Sequence, residues 1–360
     1  MRTLKDLTRP NVWRMKAYSS ARDEYTGTDG IFLDANENPY GELNRYPDPH
    51  QRKLKEEISK RLGFGPEQIF VGNGSDETID LAYRIFCEPG QDKALTFYPS
   101  YGMYDTSAAL NDVELIKVPL DQEFQIDFQA LHPHLTDPRL KLIFLCSPNN
   151  PTGNLMDRTT VEQILQTFPG IVIIDEAYIN FSSEKSALSL LEKYPNLIVS
   201  RTFSKDYGLA GARVGMAFGS AEIMNLFRRV KPPYNVSELN QNAALEAVLR
   251  EELYRKNLQV ITREKERLER ALLQLDLIKH SYPTVTNFLL VEVPDAVALY
   301  DYLIKKQIIL RLRHTQIPNT VRITIGTPEE NNQLLQALRS YQPTPALERP
   351  FKIHQFKIQN

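Results

Sequence analysis

Cysteine is almost missing from this 360-residue chain. Only Cys87 and Cys146 occur, each inside an apolar segment, which excludes a disulfide framework and a cysteine-rich zinc site. An excess of either charge is missing as well: 43 lysines and arginines stand against 45 aspartates and glutamates, a formal net charge of -2. No overall field draws in a polyanion, and nucleic acid is not an expected partner. Nor is there a long apolar run. The stretches 142–146 and 171–174 are far too short to span a bilayer, and the opening Met1-Arg2-Thr3-Leu4-Lys5-Asp6 has no apolar segment behind its charges. A cytoplasmic protein is expected, neither exported nor held in a membrane. The six histidines lack metal-ligand spacing, so no metal is expected.

What remains is an ordinary globular composition, 42% hydrophobic and 24% charged with 23 prolines and 16 glycines, in a length that favours a large domain plus a smaller one. Short apolar runs at 68–72, 93–97, 113–118, 140–145, 171–174, 197–200 and 214–218 are mostly separated by helical patterns. This alternation predicts an α/β domain with a mostly parallel central sheet covered by helices. Leu54, Ile58 and Leu62 mark a helix over 51–62, and 236–277 is helix-rich with a charged wet face. After Pro283, strand-like runs at 288–293 and 321–326 alternate with helices at 296–306 and 329–341, a small α+β domain. Residues 1–30 read as an arm with one short helix, suited to packing on another subunit. The expected division is an arm and part of the small domain at 1–45, a large domain at 46–270, a small domain at 271–345 and a tail at 346–360.

Four short segments carry chemistry. In the first, 200–215, two hydroxyls (Thr202, Ser204) precede Lys205, and Arg213 follows eight residues later around a glycine-punctuated turn. Such a set can grip a phosphate ester beside an amine able to form a Schiff base with an aldehyde cofactor; a solvated loop is the plainer alternative. In the second, Asp175 ends the apolar run 171–174. An acid there can keep a pyridine nitrogen protonated, with Tyr178 donating to the ring's phenolic oxygen, or it can simply cap the next helix. The third is the tight turn Ser147-Pro148-Asn149-Asn150-Pro151-Thr152-Gly153. The fourth, Gly72-Asn73-Gly74-Ser75-Asp76-Glu77, offers bare backbone N–H groups at a helix start. Glu77 stands where a dinucleotide fingerprint needs its third glycine, which disfavours a Rossmann dehydrogenase.

In order and spacing these segments resemble the fold type I pyridoxal-phosphate aminotransferases, and the resemblance covers nearly the whole chain. Within that family, Leu33-Asp34-Ala35-Asn36-Glu37-Asn38-Pro39, Tyr46-Pro47-Asp48-Pro49, the Gly72–Glu77 turn and Arg322-Ile323-Thr324-Ile325-Gly326-Thr327 are similar to members that transaminate L-histidinol phosphate against 2-oxoglutarate in histidine biosynthesis. The resemblance implies a pyridoxal 5'-phosphate cofactor bound to Lys205, with Asp175 on the pyridine nitrogen and Asn150 and Tyr178 on the phenolic oxygen. Ser75, Asp76, Thr202, Ser204 and Arg213 would hold the phosphate, and Tyr101 would stack on the ring. It also implies a homodimer, Tyr46 reaching the phosphate in the neighbouring subunit. Arg311 and Arg322 would receive the substrate's anionic end, with Tyr18 and Asn36 nearby. The short segment between the arginines is a departure, and Arg313 could replace or assist Arg311. The rivals of the same fold are an aromatic amino-acid aminotransferase and a threonine-phosphate decarboxylase. A pyridoxal-phosphate-sensing DNA-binding regulator is disfavoured because the resemblance begins within the first ~40 residues, less than a typical domain needs.

Overall fold

The computed structural model describes residues 2–19, 25 and 30–342. Two compact units divide the chain: one takes in Met1–Arg263 and Tyr282–Phe288, the other Glu264–Ser281 and Leu289–Asn360, over the described residues of each. The division falls inside the helix Glu251–Leu272. The expected tail 346–360 lies outside the described residues.

The first unit is built on seven strands: β1 (Ile69–Gly72), β2 (Lys93–Tyr98), β3 (Glu114–Pro119), β4 (Leu140–Cys146), β5 (Ile171–Asp175), β6 (Leu197–Thr202) and β7 (Gly215–Phe218). They form one sheet in the order β1-β7-β6-β5-β4-β2-β3. Neighbours from β6 to β3 are parallel, whereas β7 runs antiparallel to both β6 and β1. The strands read as unbroken apolar runs because both faces are buried. Val172 and Ile174 enter one apolar cluster with Leu54, Ile58, Ile164 and Ala244; Ile171 and Ile173 enter the other with Ile79, Tyr83, Ile223 and Phe227. Helices Arg52–Leu62, Arg158–Thr167 and Glu238–Leu249 thus supply the first cluster, and Ser75–Phe86 and Ala221–Val230 the second.

This topology sets the functional edge. Since β7 is antiparallel to both its neighbours, β1 runs parallel to β6, and the chain after β1, β2, β4, β5 and β6 leaves the sheet on one side. Strand order also reverses between β2 and β4, a position where open α/β sheets bind ligands. All four chemistry-bearing segments emerge on this side of the sheet.

The amino terminus differs from the expected arm. It forms two short helices, Leu4–Leu7 and Pro10–Arg14, and Leu7 and Val12 are buried in the second apolar cluster of the same unit. The Arg9 N–H donates to the Ile85 carbonyl at 2.8 Å. Two apolar side chains at this spacing are enough to dock the segment on its own chain.

In the second unit, β8 (His280–Tyr282), β9 (Phe288–Glu292), β10 (Arg311–Leu312) and β11 (Thr320–Thr324) form a sheet in the order β10-β11-β9-β8. Helices Ala296–Lys305 and Pro328–Arg339 bury Leu299, Leu303, Leu334, Leu335 and Leu338. Strands β8 and β10 were not anticipated, being only three and two residues long.

Gly215 opens β7 opposite Gly72, and a Cβ there would meet the Ser75 nitrogen at 2.3 Å and the Gly74 carbonyl carbon at 2.4 Å. Backbone cannot yield at such distances. Gly215→Ala should therefore cost about 3 kcal/mol as an overpacking change, whereas Gly211→Ala, with no heavy atom within 4 Å, should stay within about 0.5 kcal/mol. Urea unfolding of the two variants measures the difference, and equal stabilities would contradict the close approach.

Candidate active site

Helix Ser75–Phe86 starts directly from β1 through Gly74, whose φ of 80° suits only glycine well. A Cβ on Gly74 would meet the Arg213 guanidinium at 2.6 Å. Arg213 itself takes a left-handed φ of 51°, an unfavourable state for a side-chain-bearing residue and a pointer to function. That conformation brings its guanidinium to the Asp76 carboxylate at 3.3 Å and the Ser204 hydroxyl at 3.4 Å. The Tyr101 hydroxyl donates to the other Asp76 oxygen at 3.1 Å, and Thr202 Oγ1 accepts the Ser204 N–H at 3.1 Å. Ser75, Asp76, Tyr101, Ser204 and Arg213 are thus gathered at one helix start, with Thr202 bonded to that group. Free N–H groups, a helix dipole and a guanidinium suit a phosphate, so the donor set fits the phosphate of pyridoxal phosphate.

Asp175 closes β5 beside Cys146 of β4 and Ser200 of β6. It is 3% exposed, and burial pushes its carboxyl up to about 6. The Tyr104 hydroxyl and the Ala177 N–H each donate to it at 3.1 Å. Both donors are neutral, so the carboxylate retains its charge for a cation such as a protonated pyridine. The adjacent acid is differently placed. Glu176 accepts two bonds from the Arg201 guanidinium at 3.0 and 3.1 Å, one from Ser186 Oγ and one from the Ala187 N–H, both at 2.6 Å, a complete set of partners for a buried charge.

Lys205 lies three residues beyond β6, half-buried, with Nζ 5.7 Å from the centroid of the Tyr178 ring. Tyr178 meets Phe288 edge-on at 5.3 Å. Asp206, the next residue, is buried and accepts from Tyr254 Oη at 3.0 Å and from Asn180 Nδ2, which ties the lysine turn to the segment after β5. In the turn after β4, Asn149 is fully buried, donating to the Pro99 carbonyl at 2.9 Å and to Thr152 Oγ1 at 2.7 Å. Asn150 is buried beside it.

Several of these residues escaped the sequence reading. Tyr104 has a weak signal, three positions after Tyr101. Glu77, which occupies the would-be third glycine position, accepts the Asn73 N–H at 2.5 Å and Asn235 Nδ2 at 2.9 Å, bracing the Gly72–Ser75 turn from within. Nothing in the sequence marks Asn235 or Tyr254, and Asn149 falls in the third segment without a role of its own.

Tyr46 and Asn36 line one cavity of about 440 Å³ with Leu43, Tyr234 and Leu239, and Tyr46 stacks on Tyr234 at 4.4 Å. Tyr18 is exposed. No hydrogen bond, ion pair or ring contact among the described residues ties Tyr18 or Asn36 to Asp175 or Lys205. In the second unit Arg311 stands directly opposite Arg322 on the β10–β11 pair. Among the described residues no His, Cys, Asp or Glu cluster could hold a metal ion, and no helix is long and apolar enough to cross a membrane.

A mixed sheet with these loops on one edge is the fold of the type I aminotransferases, and the chain belongs to the aminotransferase class I and II family, which matches residues 31–338. A protein of Parabacteroides distasonis named histidinol-phosphate aminotransferase is 50% identical over 343 residues, covering 94% of this chain and 99% of its own. The crystal structure of histidinol-phosphate aminotransferase from Clostridium acetobutylicum superposes with a TM-score of 0.76 at 26% identity, over 82% of this chain and 90% of that one. The Sinorhizobium meliloti enzyme of the same name, solved in complex with pyridoxal-5'-phosphate, shares the fold with a TM-score of 0.75 at 24% identity, over 85% and 90% of the two chains.

The raised carboxyl of Asp175 has a definite sign. Its folded pKa of about 6 lies above its unfolded value, so the native state binds the proton more tightly and its contribution is full below about pH 4. Stability of the cofactor-free protein should fall as pH rises through 6, by up to about 3 kcal/mol. Asp175→Asn should flatten that part of the profile in urea unfolding at pH 4.5 and 7. An unchanged slope would assign the titration to another group.

Proposed function

We propose that this chain transaminates L-histidinol phosphate with 2-oxoglutarate, giving imidazole acetol phosphate and glutamate in histidine biosynthesis, as a cytoplasmic pyridoxal-phosphate enzyme. The observation that carries the substrate reading is the cross-strand pair Arg311–Arg322. Two guanidinium forks set directly opposite each other match the oxygens of an anion. Such a seat takes the phosphate ester in one half-reaction and a dicarboxylate in the other.

The cofactor, when bound, supplies an aldehyde that condenses with amines and a protonated ring that accepts electron density. In this reading Asp175 keeps the pyridine nitrogen protonated, its charge strengthened by the dry surroundings. Tyr178 and Asn150 would donate to the phenolic oxygen, and Tyr101 would cover the ring. Backbone N–H groups at Ser75 and Asp76, with Thr202, Ser204 and Arg213, hold the phosphate. Lys205 would hold the cofactor through its amine and, once free, would move a proton to and from the substrate Cα as general base and acid. Arg311 and Arg322 would receive the substrate's anionic end, and Tyr18 and Asn36 are further substrate-binding candidates.

The reading includes a homodimer in which Tyr46 of a second copy reaches the phosphate. The groove at Tyr46 supports it: Leu43, Tyr46 and Leu239 are 59%, 50% and 60% exposed on one chain, the kind of apolar surface that a partner covers. Sedimentation at assay concentrations should give a dimer, and a fully active monomer would exclude the shared site.

Lys205→Ala should lower turnover by about 1,000-fold or more and should leave no borohydride-fixed cofactor on the chain. Retention of fixed cofactor at another lysine would refute the assignment. Assayed side by side, histidinol phosphate should be preferred over phenylalanine and threonine phosphate. Preference for phenylalanine would favour the aromatic aminotransferase, and release of carbon dioxide from threonine phosphate the decarboxylase.

A further inference from the structure

One side chain from another element reaches the Asp175 carboxylate. The Tyr104 hydroxyl donates to Oδ2 at 3.1 Å, while Oδ1 accepts the Ala177 N–H, also at 3.1 Å. Cys146 at the end of β4, Tyr101 just ahead of the helix Met103–Leu110, Asp76 after β1 and Lys205 after β6 also face it. Burial and the nearby Asp175 charge hold both the Tyr104 hydroxyl and the Cys146 thiol protonated. Asp76 opposes a charge on Asp175, and Lys205 favours it. Among the described residues, Tyr104 alone donates to this carboxylate from a side chain.

The hydroxyl is placed by the core. Tyr104 is fully buried; its ring stacks on Phe144 with centroids 5.1 Å apart and meets Tyr101 edge-on at 5.7 Å. Its carbonyl accepts from Tyr83 Oη at 3.1 Å, and Tyr83 packs on the same Phe144 ring at 5.1 Å. A donor fixed in this way favours the charged form of the carboxyl, since only that form accepts at both oxygens. A carboxylate beside a protonated pyridine shares one proton with it. Whatever stabilises the carboxylate keeps that proton on the nitrogen.

We propose that Tyr104 is a positioning residue for the reaction: its hydroxyl stabilises the Asp175 carboxylate and so keeps the shared proton on the ring nitrogen of the cofactor. This rests on the transaminase reading above and deepens it, because the protonated ring then depends on a side chain that acts through Asp175.

Tyr104→Phe removes the hydroxyl and retains the ring. In the cofactor-free protein, stability falls with rising pH until the folded Asp175 carboxyl has ionised, at about 6. In Tyr104→Phe that fall should continue about one to two pH units further, the effect of one hydrogen bond to a charged group. Urea unfolding from about pH 4.5 to about 8.5 reads the shift. A second variant without a donor, Tyr104→Met, should move it the same way. Tyr83→Phe, which deletes a buried hydroxyl of the same aromatic cluster, should not, and in an Asp175→Asn background Tyr104→Phe should leave the profile unchanged. In holoenzyme reconstituted with pyridoxal phosphate carrying heavy nitrogen in its ring, Tyr104→Phe should move the nitrogen resonance toward its unprotonated position. It should lower kcat roughly tenfold and change the KM for histidinol phosphate by less than about twofold. An unshifted titration, a shift shared by Tyr83→Phe, or an unmoved nitrogen resonance would overturn the proposal. If the unmodified enzyme failed to turn over histidinol phosphate while the titration and the resonance still depended on Tyr104, the substrate reading would fail and the role of Tyr104 would stand.

Discussion

A carboxylate buried at the tip of an apolar strand is the constraint around which this molecule is organised. Four consecutive aliphatic residues carry Asp175 into the interior, where an uncompensated charge is expensive. Tyr104 and the Ala177 N–H offset part of that cost, yet the carboxyl still titrates near 6. A cationic ring nitrogen would complete the site. The neighbouring Glu176 shows the contrast: pointing to the opposite side of the strand, it is fully engaged by Arg201, Ser186 and Ala187, which leaves Asp175 as the one acid of the pair with charge to offer.

Around that carboxylate the sheet order does the gathering. Parallel β4, β5 and β6 deliver the Asn149–Asn150 turn, Asp175 and Lys205 to the same edge, and the reversal of β7 carries Arg213 back to the helix that follows β1. The Gly74–Gly215 approach lets the helix start sit close to Arg213, and a single methyl group would separate them. The proposed phosphate seat and sheet closure therefore share the same few ångströms of backbone.

The second unit solves a different problem with simpler means. A short antiparallel ribbon sets arginines opposite one another on its outer face and apolar residues on its inner face. The inner face holds the ribbon together, so the other face can carry the arginines. The proposed anion seat is thus supported by apolar packing on the reverse side of the same strands.

Much of this was legible in the sequence. Strands buried on both faces appear as unbroken apolar runs, and their chemical residues sit at the ends, so β1 to β7 and the segments after them could be read within a residue or two. Lys205, Asp175 and the Gly72–Glu77 turn stand out because each follows such a run. The docking of the amino terminus, the Tyr104–Asp175 and Tyr254–Asp206 bonds, the Glu77–Asn235 brace across 158 positions, and the register that sets Arg311 opposite Arg322 were decided only by tertiary structure. A run of side chains reports whether its own strand is buried, since burial acts on each residue where it stands. A hydrogen bond between distant residues depends on how separate elements pack, and no local pattern records that.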